Sequence, residues 1–355
     1  MKKIKVFLGG YINHTNAQNL NCQSLAKHMN KDRFEVYTLE AYSGDLPRNE
    51  IEGVHVFNCF YPFRLSRLLG FLWGVLKSDV LYLPKGEPEK FPLILARLLK
   101  KPCFATVEGV INDEYIDFCK TIGKDPLKPI AYWKRFEHLY AITGYIRRYM
   151  GEKFGLRFRD ETLYLGIDTD TFAKARHKVT ALRNIVMIGN ALKEKGIDEY
   201  LLLAQKFPHI DFHVVGAGHD LADRRVLENL PANVRYHGVL NHAELTKLLR
   251  QVDLHILFSK TEGFPKVVIE TAAAGIPSLV YSHYGAGEWI THTQDGFVVD
   301  SFDEAVETVK TLDEDSDKIP TVSDHAVKMA GRFAWQVRIG DWEEVIENLY
   351  RKAAK

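Results

Sequence analysis

Short apolar runs rich in β-branched residues recur along this chain, and each is separated from the next by a stretch with helical spacing. Residues 4–8, 34–39, 54–58, 80–83, 103–107 and 139–143 form a first series; 185–188, 212–215, 234–237, 254–258, 278–281 and 296–299 form a second. Continuous apolar runs, unlike alternating ones, belong to strands buried on both faces, and buried strands alternating with helices build parallel sheets covered on both sides. Two such series predict two doubly wound, Rossmann-like α/β domains. The 355 residues are also too many for one core, since single cores stop growing at roughly 250–300 residues. The boundary falls near residues 163–172, where Leu-Tyr-Leu-Gly-Ile-Asp-Thr-Asp-Thr-Phe closes one pattern before a polar stretch. Ligands of open α/β sheets bind beyond the carboxyl ends of the strands, so a two-substrate cleft between the halves is expected.

Composition removes several classes. Hydrophobic residues at 46% and charged residues at 26% are ordinary globular values, which excludes a disordered or fibrous chain. Up to Asp170 there are 25 Lys and Arg against 20 Asp and Glu, and beyond it 22 against 26. That excess in the first half is too mild for a nucleic-acid partner, which demands clustered positive charge. The basic start, Met-Lys-Lys-Ile-Lys, precedes an apolar run far shorter than a secretory signal needs, so a first strand is expected there. Cys22, Cys59, Cys103 and Cys119 have no paired metal-like spacing and suit reduced thiols in the cytoplasm.

The stretch richest in chemistry is 258–277, Phe-Ser-Lys-Thr-Glu-Gly-Phe-Pro-Lys-Val-Val-Ile-Glu-Thr-Ala-Ala-Ala-Gly-Ile-Pro. A buried strand ends at Phe258, a polar turn follows, and Pro265 stands where a helix would start, because its missing N–H costs nothing there. The unpaired N–H groups of a helix N-terminus suit an anion such as a diphosphate, and Lys266 adds a full charge. Glu270 lies four residues beyond Lys266, hence on the same helical face, where a carboxylate can accept from vicinal hydroxyls. Glu262 in the preceding turn can meet a second polyol. Spacing alone also allows a plainer reading, in which Glu262 caps the helix, Lys266 and Glu270 form a surface ion pair, and residues 272–275 merely pack.

This segment resembles the signature of the family-4 retaining glycosyltransferases, also described as glycosyl transferase group 1, which have the GT-B fold of two Rossmann-like domains facing a cleft. Ser259, Glu262, Gly263, Phe264 and Glu270 match, and Pro265 replaces the usual final glycine. The resemblance implies that Glu270 holds a nucleotide ribose, that Glu262 touches the donor sugar, and that the backbone of Gly263, Phe264, Pro265 and Lys266 lies near sugar and phosphate. Residues 188–196 look like the family's strand, Gly-Arg turn and Lys-Gly. Lys195 aligns with the lysine that grips the diphosphate, while Asn190 stands at the arginine position and supplies an amide but no charge. Gly216 follows a strand as the family's tight turn does, with Leu221 where a dinucleotide fingerprint would have a small residue, and residues 285–288 are a candidate pocket wall. Gly10, with Gly9, resembles the family's Gly-Gly turn after the first strand, which lets a phosphate or acceptor approach the backbone. Glu108 stands where many members carry a histidine near the reacting sugar.

These matches imply domains at 1–168 for the acceptor and 169–335 for the donor, with a helix at 336–355 packing back on the first. The expected partners are a UDP- or GDP-linked sugar and a glycan or lipid-linked acceptor, the latter in polysaccharide or lipopolysaccharide assembly. No separate cofactor and no metal are expected, Asp198 and Asp220 being isolated. Glu262, Lys195 and Glu108 are the catalytic candidates. A sugar-nucleotide epimerase, a phosphorylase, or an inactive binding module on the same fold remain alternatives. Arg64, Arg67, Lys77, Arg97, Lys100 and Lys101 flank apolar helices expected at 63–76 and 91–99. These helices are expected to face the core and snorkel their charges, with peripheral contact to an anionic membrane as the alternative.

Overall fold

A computed structural model describes residues 2–14, 16–41, 50–84, 90–121, 125–218 and 225–353. Leu221 and Asp220 lie outside them. The chain forms two compact units, Met1–Gly166 with Trp335–Lys355, and Ile167–Ala334. In the first, β1 (Ile4–Tyr11), β2 (Phe34–Glu40), β3 (Val54–Asn58), β4 (Val80–Tyr82), β5 (Cys103–Val107) and β6 (His138–Ala141) make one sheet in the order β3-β2-β1-β4-β5-β6. In the second, β7 (Asn184–Ile188), β8 (Asp211–Val215), β9 (Val234–Tyr236), β10 (Leu254–Leu257), β11 (Ser278–Tyr281) and β12 (Phe297–Val299) are ordered β12-β11-β10-β7-β8-β9. Every pairing is parallel.

Both sheets therefore share one topology, and each reverses its order once: between β1 and β4 in the first, between β7 and β10 in the second. At such a reversal the two connections leave in opposite directions and open a crevice at the strands' carboxyl ends. The strand cores are dry, as their continuous apolar runs require: Val6, Phe7 and Leu8 are buried in β1, and Ile185, Val186 and Met187 in β7. The helices between strands begin on short polar caps. Asn16 accepts from the Asn19 N–H ahead of Ala17–His28, and Thr143 accepts from the Ile146 N–H ahead of Gly144–Phe154.

The helix Trp335–Ala353 belongs to the first unit, where it buries Trp335, Trp342 and Ile346. The Trp342 indole donates to the Tyr164 carbonyl at 3.0 Å and packs edge-on against Tyr82. On the same helix Glu343 accepts from the Asn30 N–H at 2.7 Å and pairs with Arg33 at 3.0 Å.

Two sequence expectations need correction. Gly9 and Gly10 do not form a turn after the first strand but lie within β1, where the register with β2 shifts between Leu8 and Tyr11. The Thr38 hydroxyl holds that irregularity by facing the carbonyls of both Leu8 and Gly10 at 3.2 Å. The helix Phe63–Lys77 also turns the opposite way from expectation: it buries Ser66, Gly70, Phe71, Gly74 and Val75 and exposes Leu65, Leu68, Leu69 and Leu76. The cause is its close approach to the sheet. A Cβ on Gly74 would lie 2.2 Å from the Phe7 ring and one on Gly70 2.9 Å from Phe57, so only small side chains fit inside.

Two buried histidines of the second unit give an acid limit. Burial, and for His213 the neighbouring His237, holds His213 down at about 4 and His255 at about 3. Both folded values lie below the unfolded one, so their contribution is complete above about pH 6.5 and is lost as pH falls towards 4. Denaturant titration at pH 7 and 5 should show a loss of about 1.4 kcal/mol per pH unit per histidine within that window. His255→Gln should flatten its share of the slope.

Candidate functional site

The chemistry-bearing loops of the second unit leave from β7 and β10, the two neighbours at its reversal. After β7 the chain runs through Gly189, Asn190 and Lys195 to the helix Ile197–Lys206; after β10 it runs through Ser259 and Glu262 to the helix Lys266–Ala273. Gly196 brings the loops together. Its φ is +81°, and a Cβ there would lie 2.6 Å from the Phe258 carbonyl oxygen, so no side chain fits between them. The result is an ion pair across the reversal, Lys195 Nζ to Glu262 Oε1, with side chains 24% and 13% exposed.

Gly216, just after β8, is tighter still. With φ at +140°, its Cβ would meet the Gly189 carbonyl oxygen at 1.9 Å, so the loops after β7 and β8 touch backbone to backbone. Asn190 locks them: its side-chain oxygen accepts from the Ala217 N–H at 2.9 Å. The amide NH₂ of this exposed residue remains able to donate elsewhere.

Pro265 occupies the cap of the Lys266–Ala273 helix, one residue ahead of the position expected, with φ −74° and ψ 95°. No side chain caps that helix, so Glu262 is not the capping group. Pro265 at the cap offers no side-chain acceptor to the first N–H groups of the helix, and Lys266 stands beside them. Glu270 keeps partial access to solvent, and its carboxylate makes no hydrogen bond among the described residues. Burial pushes it up to about 7, with the Lys266 charge pulling the other way. Phe264 anchors the loop, packed on Trp289 at 5.4 Å and Phe333 at 5.3 Å. The Ser259 hydroxyl, the Tyr284 phenol and the Trp289 indole N–H are buried without a hydrogen-bond partner. Buried donors left unsatisfied are costly and are a common mark of a place for a polar ligand. The arrangement thus offers two ammonium groups and an uncapped helix end to an anion, and two carboxylates to hydroxyls.

Residues 168–328 match the family model described as glycosyl transferases group 1. Over that stretch, somewhat less than half of its length, the chain is similar to the group 1 glycosyl transferases. An uncharacterised glycosyltransferase from Haemophilus influenzae is 26% identical over 185 residues, 48% of this chain and 51% of that protein. The alpha-galactosylglucosyldiacylglycerol synthase of Streptococcus pneumoniae is 29% identical over 104 residues, 27% of this chain and 28% of its own length. The chain therefore aligns with about half of the first relative and under a third of the second. Among solved structures, Anabaena Alr3699/HepE in complex with UDP-glucose superposes with a TM-score of 0.75 at 18% identity, covering 97% of this chain and 100% of that one. Sucrose-phosphate synthase from Thermosynechococcus elongatus gives 0.78 at 14% identity, covering 99% and 100%. The two-domain α/β architecture is the GT-B fold.

The matched stretch carries Lys195, Glu262, Gly263, Phe264, Pro265, Lys266, Glu270, Asn190 and Gly216, all named from sequence. Glu108 and Gly10 lie in the other unit. Glu108 stands just past the carboxyl end of β5, where its Oε1 accepts from Tyr82 and Thr106 at 3.0 Å and Asn21 at 3.4 Å. Gly10 faces the Ala17–His28 helix; a Cβ would lie 2.7 Å from the Cys22 sulfur, so close packing already requires glycine there. In the stretch 285–288, Ala286–Glu288 form a short 3₁₀ turn capped by Gly285. Sequence reasoning missed Tyr284 and Trp289, whose only signal was two aromatics flanking that glycine-rich turn. Among the described residues, no group of three His, Cys, Asp or Glu could hold a metal ion.

Proposed function

We propose that this chain is a glycosyltransferase that moves a sugar from a nucleoside diphosphate onto a hydroxyl of a glycan or glycolipid acceptor, with retention of configuration at the anomeric carbon. One observation carries this reading: at the β7–β10 reversal, the Lys195–Glu262 pair and the uncapped Lys266–Ala273 helix stand on neighbouring strand ends. In this reading the diphosphate lies against the helix end, Lys266 and Lys195, which stabilise the charge that grows as the bond to the anomeric carbon breaks. Glu262 accepts from hydroxyls of the transferred sugar, and Glu270 from the two ribose hydroxyls. The acceptor hydroxyl attacks from the face the diphosphate leaves, and the departing phosphate takes its proton. Acceptor recognition falls to the first unit, with Glu108 as its candidate polar contact.

A thermal-shift screen against nucleoside diphosphates and their sugars tests the donor half. A ligand at 100 times its Kd adds about 2.7 kcal/mol to the native state, so one base should raise the melting temperature clearly above the others. No shift with any nucleotide would overturn the reading. Charge neutralisation by lysines and N–H groups further predicts that sugar transfer survives EDTA; activity lost to the chelator and restored by a divalent cation would contradict that part.

A further inference from the structure

The exposed leucines of the Phe63–Lys77 helix play no part in the chemistry above, and they are not alone. The neighbouring helix Phe91–Leu98 packs beside it and exposes Ile94 and Leu98 at 51% and 75%, against 51% for Leu65 and 54% for Leu76. Lys101 ties the two into one platform: its Nζ donates to the carbonyls of Val75, Leu76 and Ser78 at 2.7, 2.9 and 2.6 Å, closing the end of the first helix from the chain that follows the second. Exposed leucines concentrated on two helices packed together are the kind of apolar surface that marks an interaction site. Neither helix contains an acidic residue; Arg64 and Lys77 are exposed at the two ends of the first, and the second carries exposed Arg97, which donates to the Arg135 carbonyl, with exposed Lys100 just beyond it.

We propose that these two helices dock the chain on an anionic lipid bilayer, lying in the headgroup plane with the leucines inserted and the cations at the phosphates. Charge selects this occupant. A helix that lies in the interface combines an apolar face with cations and needs no acids, and each Lys or Arg near an anionic surface adds about a fivefold factor in affinity. A second copy of the same face would oppose like charges with no carboxylate on either helix to pair them. Among the described residues no helix is long and apolar enough to cross a membrane, so the contact is peripheral. This inference stands apart from the donor reading: either can fail alone.

The test is co-sedimentation of the full chain with vesicles of phosphatidylcholine, with and without about 30 mol% phosphatidylglycerol. Wild type should pellet with the anionic vesicles at low salt and be released by high salt. Arg64→Glu with Lys77→Glu should weaken binding by at least about 25-fold, and Leu65→Gln with Leu69→Gln by about tenfold or more. Both variants should keep their melting temperature, because the altered side chains are exposed; should the leucine variant unfold, the charge variant still decides. Absence of pelleting with anionic vesicles, equal pelleting with phosphatidylcholine alone, or a dimer in sedimentation equilibrium that the leucine substitutions dissolve would each overturn the proposal.

Discussion

Replacing Lys195 by alanine is expected to lower turnover by about 10²–10³-fold, the loss typical of removing one preorganised group that stabilises a developing oxyanion. Two effects contribute. The substitution withdraws a positive charge from the leaving diphosphate, and it leaves Glu262, 13% exposed, without its ion-pair partner. A double-mutant cycle with Glu262→Gln separates them. If Lys195 served only to neutralise Glu262, then Lys195→Ala added to the Glu262→Gln variant would cost nothing further. The Glu262→Gln variant should instead retain most of the Lys195 effect on kcat, because the lysine also acts on the diphosphate. Steady-state rates of the four proteins with one donor decide the matter.

Glu270→Gln should weaken binding of a nucleotide sugar by about 10–100-fold at pH 8, the scale of losing hydrogen bonds to a charged acceptor. It should also remove a pH dependence. In the free protein burial holds Glu270 up at about 7, whereas ribose hydroxyls donate best to its ionised form. Binding therefore lowers that value and releases a proton below pH 7, so affinity should rise with pH from about 5 to 7 and level off above. A nucleotide sugar is the right ligand, since it lacks the terminal phosphate that itself ionises near pH 6. Calorimetry at several pH values should show the rise in wild type and a flat line in the variant. The same raised carboxyl weakens the free protein as pH climbs from about 4.5 to 7, so Glu270→Gln should be relatively more stable at pH 8 than at pH 5.

The inner strands were legible because each is an apolar run, the imprint of burial on both faces: the runs at 103–107 and 278–281 coincide with β5 and β11, while the edge strand β3 at 54–58 was legible from its β-branched residues although none of it is buried. The helix after β10 was legible from Pro265 and from the Lys266–Glu270 spacing. What sequence could not supply was adjacency created by strand order. Lys195 and Glu262 are 67 residues apart, and they meet only because β10 pairs with β7 rather than following it around the sheet. Asn190 was read as an amide for the ligand, yet its oxygen holds Ala217, a contact set by the close pass of Gly216 and Gly189. The outward leucines were misread for a related reason. Helical periodicity gives the apolar stripe but not which side meets the sheet, and Gly70 and Gly74 settle that only once Phe57 and Phe7 are known to lie beneath them.

In the proposed function the crevice at the β7–β10 reversal holds a nucleoside diphosphate. A crystal structure of the chain with the nucleoside diphosphate that stabilises it most tests this directly. The diphosphate should lie at the start of the Lys266–Ala273 helix, within hydrogen-bond reach of Lys195 or Lys266, with the ribose hydroxyls on Glu270. A nucleotide bound elsewhere, or one seated there with Glu270 turned from the ribose, would contradict it.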